Sequence, residues 1–182
     1  MGVSDTDLIA RVLLEDDRHA FGTLVRRNQS AVRGLLRRLT NGNEALTDDL
    51  AQETFIKSYK SLHTFRGNSK FSTWLHRIAY NIFINYTRSQ KVIINFDDYL
   101  ETKGEHSDTT PNINLQHDLR QAMQKLNDDE RTSIQLCCEC GFSHSEAAEI
   151  LQQPLGTVKT NISRGKYKLR ELLSSWQEMA YE

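Results

Sequence analysis

Apolar residues recur along this chain at steps of three and four, and almost nowhere in strict alternation, which predicts helices throughout. Phe21, Leu24, Val25, Val32, Leu35, Leu36 and Leu39 form one stripe, ending at the turn-forming run Thr40-Asn41-Gly42-Asn43. The next helix is expected to take Thr47 as its cap, with Asp48 and Asp49 in the first turn, where the helix dipole favours acids. It carries Leu50, Ala51, Phe55, Tyr59 and Leu62 inward. In a third helix Phe71, Trp74, Leu75, Ile78, Ala79, Ile82, Phe83 and Tyr86 keep the same spacing with hardly a gap, which makes Trp74 a core residue.

The pattern fails over residues 95–114. Asp97, Asp98, Glu101, Glu105 and Asp108 stand there against Lys103 alone, with a glycine, a proline and several hydroxyl residues between them. Periodicity resumes with Leu115, Leu119, Ala122, Met123 and Leu126. The expected fold is therefore all-α: two small helical domains, 1–92 and 114–182, on a flexible acidic linker at 93–113.

Within the second domain, residues 142–173 read as a short helix, a turn and a longer helix. Ser143 and Glu146 make a capping box, and Ala147, Ala148 and Leu151 leave room for a second helix to approach. Residues 152–156 supply the turn and Thr157 the next cap. Val158, Ile162, Gly165, Leu169 and Leu172 then share one side, and Lys159, Thr160, Ser163, Arg164, Lys166 and Lys168 the other. Cations near the start of such a helix reach base edges and phosphates, while small hydroxyls allow close approach to the groove. A solvated basic face is the plainer alternative. Five basic residues against one acidic over residues 155–173 favour DNA.

The third helix has a second face. Arg77, Tyr80, Asn81, Asn85 and Arg88 lie opposite its apolar stripe, preceded by the polar loop Arg66-Gly67-Asn68-Ser69-Lys70. Ring, amide and cation side by side suit an unpaired strand, whose bases stack on aromatics and whose phosphates meet the charges. A merely polar exterior fits the same residues.

Composition narrows the partners. Basic residues number 23 and acidic 24, so the net charge of -1 gives no long-range pull on nucleic acid, and any such contact must be local. All three cysteines fall within residues 137–140, which fits a reducing cytoplasm rather than a disulfide framework. Cys137, Cys140 and His144 invite a metal or redox reading, but zinc needs four ligands, and cysteines on a buried face are commonly core residues. The other five histidines are scattered and expected at the surface. No phosphate loop, HExxH or GxSxG motif is present, so no enzyme, metal or cofactor is predicted. The acid-bearing N-terminus is unlike a signal peptide, and no apolar run suits a membrane span.

Two motif blocks together carry a resemblance. Asp48-Asp49, Gln52-Glu53 and Phe55, followed by Phe65-Arg66-Gly67, Phe71, Trp74-Leu75 and Arg77-Ile78-Ala79, resemble the second conserved region of bacterial RNA polymerase sigma factors of the extracytoplasmic-function group. Pro154, Gly156-Thr157-Val158-Lys159 and Ser163-Arg164 resemble the helix-turn-helix of that family's fourth region. The resemblance implies that Asp48, Asp49, Gln52, Glu53 and Phe55 dock on the beta-prime clamp helices of core polymerase, with the beta flap as a further contact. It implies that Phe65, Arg66, Asn68, Ser69, Lys70 and Asn81, with Arg77, Tyr80 and Arg88 beside them, hold a flipped base and the strand of the minus-ten element. It assigns Thr157, Lys159, Thr160, Ser163, Arg164 and Lys166 to the minus-thirty-five duplex. It also implies an anti-sigma partner, in a chain with no sensory extension, and a linker that threads toward the polymerase active centre. Asn161, Gly165 and Lys166 depart from common family residues, and Gly165 carries a helix-propensity cost of about 1 kcal/mol against alanine. The competing expectations are a helix-turn-helix regulator that binds an operator alone, and a helical nucleic-acid-modifying enzyme, for which no nucleophile or metal site is found.

Overall fold

A computed structural model describes residues 3–97 and 115–174, with side chains placed within 3–90 and 118–174. Among the described residues the fold is helical without strands, in two domains. The first comprises α1 (Asp5–Glu15), α2 (Arg18–Leu39), α3 (Glu44–Ser61) and α4 (Phe71–Asp97). Ser4 and Asp7 cap α1 reciprocally, and Asp17 caps α2 by accepting from the His19 and Ala20 backbone N–H groups. The corner between them is tied to α3 by the Tyr59 hydroxyl, which donates to Asp16 at 2.6 Å. Inside, Leu24, Val32 and Leu36 of α2 meet Leu50 and Ala51 of α3 and Phe71, Trp74, Leu75, Ala79 and Ile82 of α4. Trp74 is 4% exposed, as the spacing predicts.

Two local expectations change. Helix α3 begins three residues before Thr47, because the turn at Asn41 and Gly42, both at positive φ, delivers Asn43 as the cap, its side chain accepting from Leu46 N–H. Thr47 is instead buried in the first turn, donating to the Asn43 carbonyl at 2.6 Å and bonded to the Thr40 hydroxyl at 2.8 Å. Helix α4 continues past residue 93 to Asp97, since neither proline nor glycine interrupts it there. The remainder of the expected linker, 98–113, lies outside the described residues.

The second domain contains α5 (Leu115–Gln124), α6 (Asp128–Ile134) with a π-helical turn at Gln135–Glu139, α7 (His144–Leu151) and α8 (Leu155–Leu172). The Ser143 and Glu146 capping box opens α7 as expected, and Gln152, at φ 55, closes it in the left-handed conformation. Helix α8 starts at Leu155 with Pro154 in the cap position, so Thr157 sits within the first turn and caps nothing. Proline's fixed φ sets the entry without a side-chain hydrogen bond.

Gly165 has a packing reason. It faces α6, where a Cβ added to it would lie 2.5 Å from Ile134 Cδ1 and 3.4 Å from Glu130 Cβ. Helix propensity alone makes Gly165→Ala stabilising by about 1 kcal/mol. Ile134 is only 5% exposed, so its methyl has to turn into occupied space, and overpacking of this kind costs about 1–3 kcal/mol. The expected result is a net loss of about 1 kcal/mol in urea denaturation; a gain would show that Ile134 gives way freely.

The domains touch through α4 and α7. Leu35 of α2, fully buried, belongs to the cluster of Leu136, Ala147, Ile150, Leu151, Val158 and Ile162. The rings of His76 and Phe142 meet edge-on with centroids 4.8 Å apart, and Arg38 donates from Nε to Glu139 at 2.6 Å.

Candidate nucleic-acid interface

Helix α3 turns its apolar side to the core and leaves Asp48, Asp49, Gln52 and Glu53 exposed on a single face, as i, i+1, i+4 and i+5 spacing requires. Asp48 is paired with Arg33 of α2 at 2.6 Å, and Glu44, one turn earlier, with Arg37 at 3.0 Å. Phe55 does not join this face; its ring is half-buried against the core. Ile56 is there instead, 49% exposed one turn beyond Gln52 and Glu53. The only sequence signal for it is an isoleucine out of register with the buried stripe.

The loop before α4 and one stripe of α4 hold the second set. Arg66, Asn68 and Lys70 are exposed, Ser69 is half-buried, and Gly67 takes φ 72, which lets the loop turn sharply. Phe65 presents no free ring: it packs 5.7 Å from Phe71 and 5.5 Å from Trp74, centroid to centroid, and so anchors the loop to the core. Arg77, Tyr80, Asn81 and Arg88 share one side of α4, with Arg88 exposed and the first three half-buried. The second domain covers part of this stripe. Asn81 Oδ1 accepts a long hydrogen bond, 3.4 Å, from Gln152 Nε2, and the Tyr80 ring packs on the second domain's core cluster, where burial pushes its pKa up. Lys70 donates to Glu146 at 2.9 Å; that bond first, then those from Ser143, hold the Glu146 carboxyl at about 2.

On α8, Thr157, Lys159, Thr160, Ser163, Arg164 and Lys166 are all exposed, opposite the buried Val158, Ile162 and Gly165. Thr160 donates its hydroxyl to the Gly156 carbonyl at 2.9 Å. Lys168 leaves the group that the sequence placed on the basic side. Its ammonium donates to both oxygens of Glu130, at 2.9 and 2.8 Å, and ties α8 to α6. Tyr167 takes its place on the outward face, 61% exposed and one turn past Ser163 and Arg164.

His76 corrects the expectation of surface histidines. It is 2% exposed, with Nδ1 at 2.6 Å from the Ser72 carbonyl. Burial lowers its pKa below 6.5 despite the opposing pull of the Ser72 and Ala31 carbonyls. In the unfolded chain the ring protonates at its ordinary pKa, so its contribution is full above about 6.5 and is lost as pH falls below it. Urea midpoints are expected to drop across that range in the wild type and to drop less in His76→Gln.

Cys137 and Cys140 are half-buried beside the core cluster of the second domain, and burial raises the pKa of both thiols; Cys138 is exposed. Among the described residues no group of three or more histidine, cysteine or acidic side chains could hold a metal ion, and no helix is long and apolar enough to cross a membrane. A cleft of about 670 Å³ between the end of α2 and helices α5 and α6 is lined by Arg37, Arg38, Arg120 and Arg131. Three of these already serve Glu44, Glu139 and Asp128.

Residues 24–92 match the family described as sigma-70 region 2, and residues 116–169 the one described as sigma-70, region 4. The chain is 36% identical over 177 residues to the ECF RNA polymerase sigma-E factor of Haemophilus influenzae, covering 90% of this chain and 92% of that one. It is 36% identical over 174 residues to the ECF RNA polymerase sigma factor SigW of Bacillus subtilis, covering 86% and 90%. Among solved structures it resembles the sigma factor RpoE of Bartonella quintana, crystallised with the anti-sigma factor NepR, at a TM-score of 0.69 and 28% identity over 85% of this chain and 96% of that one. It also resembles CnrH in complex with the cytosolic domain of CnrY, at a TM-score of 0.68 and 26% identity over 94% and 97%.

Proposed function

The chain belongs to the sigma-70 family, in its extracytoplasmic-function group, and from that membership we propose how its faces divide the work of starting transcription. It is an alternative sigma factor, a dissociable subunit that gives core RNA polymerase promoter recognition and opening and performs no catalysis of its own. Residues 1–92 engage polymerase and the minus-ten element, and residues 114–182 engage the minus-thirty-five element.

Asp48, Asp49, Gln52 and Glu53 meet basic residues on the clamp helices, and exposed Ile56 adds an apolar contact to that charged face. Phe55 supports the face from the core side. Arg66, Asn68, Ser69 and Lys70 of the anchored loop, with Arg77, Tyr80, Asn81 and Arg88, hold the unpaired strand. Thr157, Lys159, Thr160, Ser163, Arg164 and Lys166 read the upstream duplex, joined by Tyr167. The beta flap receives the second domain. The chain works in the cytoplasm and takes an anti-sigma partner, as the sigma factor RpoE of Bartonella quintana does.

The observation that carries this reading is the pairing of an exposed acidic face on one domain with an exposed basic recognition helix on the other. Energetics point the same way. Flipping a base out costs a few kcal/mol, and one stacked base returns about 1–3 kcal/mol, so this small domain cannot hold a promoter open unaided. A chain of net charge -1 also gains little from counterion release over a broad surface. Polymerase supplies the rest. The test is runoff transcription with purified core polymerase on a promoter library: defined start sites are expected only when the chain is added. Shifting of duplex operator DNA by the chain alone, with no effect on core polymerase, would falsify the reading.

A further inference from the structure

The arginine-lined cleft between the end of α2 and helices α5 and α6 has no part in the polymerase and promoter contacts assigned above. Its volume, about 670 Å³, is that of a small-molecule site. Arg37 and Arg38 of α2, Arg120 of α5 and Arg131 of α6 line it, against the carboxylate of Glu139. This excess of positive charge is not cancelled from within. Arg120 is exposed and pairs with none of the described residues. Arg37 gives one nitrogen to Glu44 at 3.0 Å and Arg131 gives one to Asp128, and neither acid lines the cleft. A guanidinium carries five N–H donors, so each has donors to spare, and pairs made with exposed carboxylates are weak. Arg38 is held more firmly, donating from Nη1 to the Gly34 carbonyl at 2.7 Å and from Nε to Glu139 at 2.6 Å. A Cβ on Gly34 would stand 3.2 Å from that Nη1, so the glycine makes room for the guanidinium at the wall.

An independent observation lies deeper in the same cleft. Gln135, the first residue of the π-helical turn, lines it with 7% of its surface exposed, and its amide oxygen has no hydrogen-bond partner among the described residues. A buried acceptor left unpaired is rare and costly. The turn that fixes Gln135 here is closed by the Cys140 N–H on the Gln135 carbonyl at 2.9 Å, and isolated π-helical turns are frequent at functional sites. Leu119 and Met123 add an apolar wall on the α5 side. Guanidiniums hold phosphates in bidentate pairs, the unpaired amide oxygen needs an N–H or O–H donor, and the apolar wall suits a flat heterocycle. From this combination we infer that the cleft binds a nucleoside di- or triphosphate, with its phosphates on Arg37, Arg38, Arg120 and Arg131 and its base or sugar donating to Gln135. A monophosphate leaves most of the charge unmatched. A nucleic-acid strand carries one phosphate charge per base and cannot set several phosphates beside one base in a cleft of this size. The assignment does not depend on the promoter roles proposed above.

The test is isothermal titration of the full chain with GDP, ADP, CDP and UDP, with the matching monophosphates, with inorganic pyrophosphate and with a short oligoribonucleotide. At least one nucleoside diphosphate is expected to bind, and to raise the melting temperature of the chain, since a ligand of the folded state stabilises it. That diphosphate is expected to bind about tenfold more tightly than its monophosphate or pyrophosphate, the worth of one charge-assisted contact or one well-made buried hydrogen bond. Arg120→Glu, a change at an exposed position, is expected to weaken the diphosphate by at least about tenfold with an unchanged circular dichroism melt in the absence of ligand. Gln135→Met, which keeps the volume and removes the acceptor, is expected to bind pyrophosphate as the wild type does and to lose the preference for the nucleoside. If that buried variant unfolds, Arg120→Glu and the comparison with pyrophosphate still decide. Absence of diphosphate binding by the wild type, equal affinity for pyrophosphate and every nucleoside diphosphate, undiminished binding by Arg120→Glu, or tighter binding of the oligoribonucleotide each overturns the assignment.

Discussion

Reversing two charges together, Asp49→Lys with Glu53→Lys, is expected to abolish association with core RNA polymerase and to leave the fold intact. Both side chains are exposed on α3, and exposed substitutions away from caps and networks change stability by no more than about 0.5 kcal/mol. Asp48 is left alone because its pair with Arg33 confounds the result. Close charge pairs across an interface are worth about 1.5–7 kcal/mol, so even at the low end two reversals weaken binding by about 3 kcal/mol, roughly a hundredfold, before any new repulsion is counted. Circular dichroism should show an unchanged melt, and gel filtration with core polymerase should show two separate peaks. Normal runoff transcription by this variant would overturn the docking assignment. The salt dependence adds a second check, since attraction between exposed charges weakens as the Debye length shrinks.

Much of this was legible in the sequence because it is local. Apolar spacing located the buried faces of α2 and α4, and the Ser143 and Glu146 pair marked the start of α7. Local signals also misled. Thr47 and Thr157 have the chemistry of caps, yet Asn43 and Pro154 reach the position first, since a positive-φ turn and a fixed proline φ decide where each helix begins. The larger omissions are non-local. The stripe containing Leu35 shows that something covers it, but only packing reveals that the cover is the second domain. His76 and Tyr80 were read as surface groups for the same reason: the element that buries them lies more than fifty residues away. Gly165 read as a propensity defect because the side chain that needs its missing Cβ, Ile134, belongs to another helix. On the candidate faces, Ile56 and Tyr167 were missed because each is a large apolar or aromatic residue among polar ones, a pattern that periodicity treats as noise.

Lys168 is where the two levels of reading disagree most sharply, and Lys168→Ala separates them. Counted along the helix, Lys168 joins the DNA-facing cations; its loss would then weaken promoter binding and raise the salt sensitivity of what remained, with stability untouched. Packed against α6, it is the partner of Glu130, whose side chain is 3% exposed and whose remaining hydrogen bonds lie within its own capping box with Asn127. Removing the ammonium then strands a buried carboxylate, which costs about 3–5 kcal/mol for a fully buried pair and nearer 2–3 kcal/mol here, because the lysine itself is half-exposed. A helical domain of this size has only about 3–9 kcal/mol of stability in total, so the expected result is a second domain largely unfolded at moderate temperature, while the first domain melts normally. Replacing both partners with methionine should restore most of the loss, because apolar groups of similar volume need no counter-charge. If Lys168→Ala instead melts like wild type and loses only DNA affinity, the pair contributes nothing to holding α8 on α6, and the helical-wheel assignment of Lys168 stands.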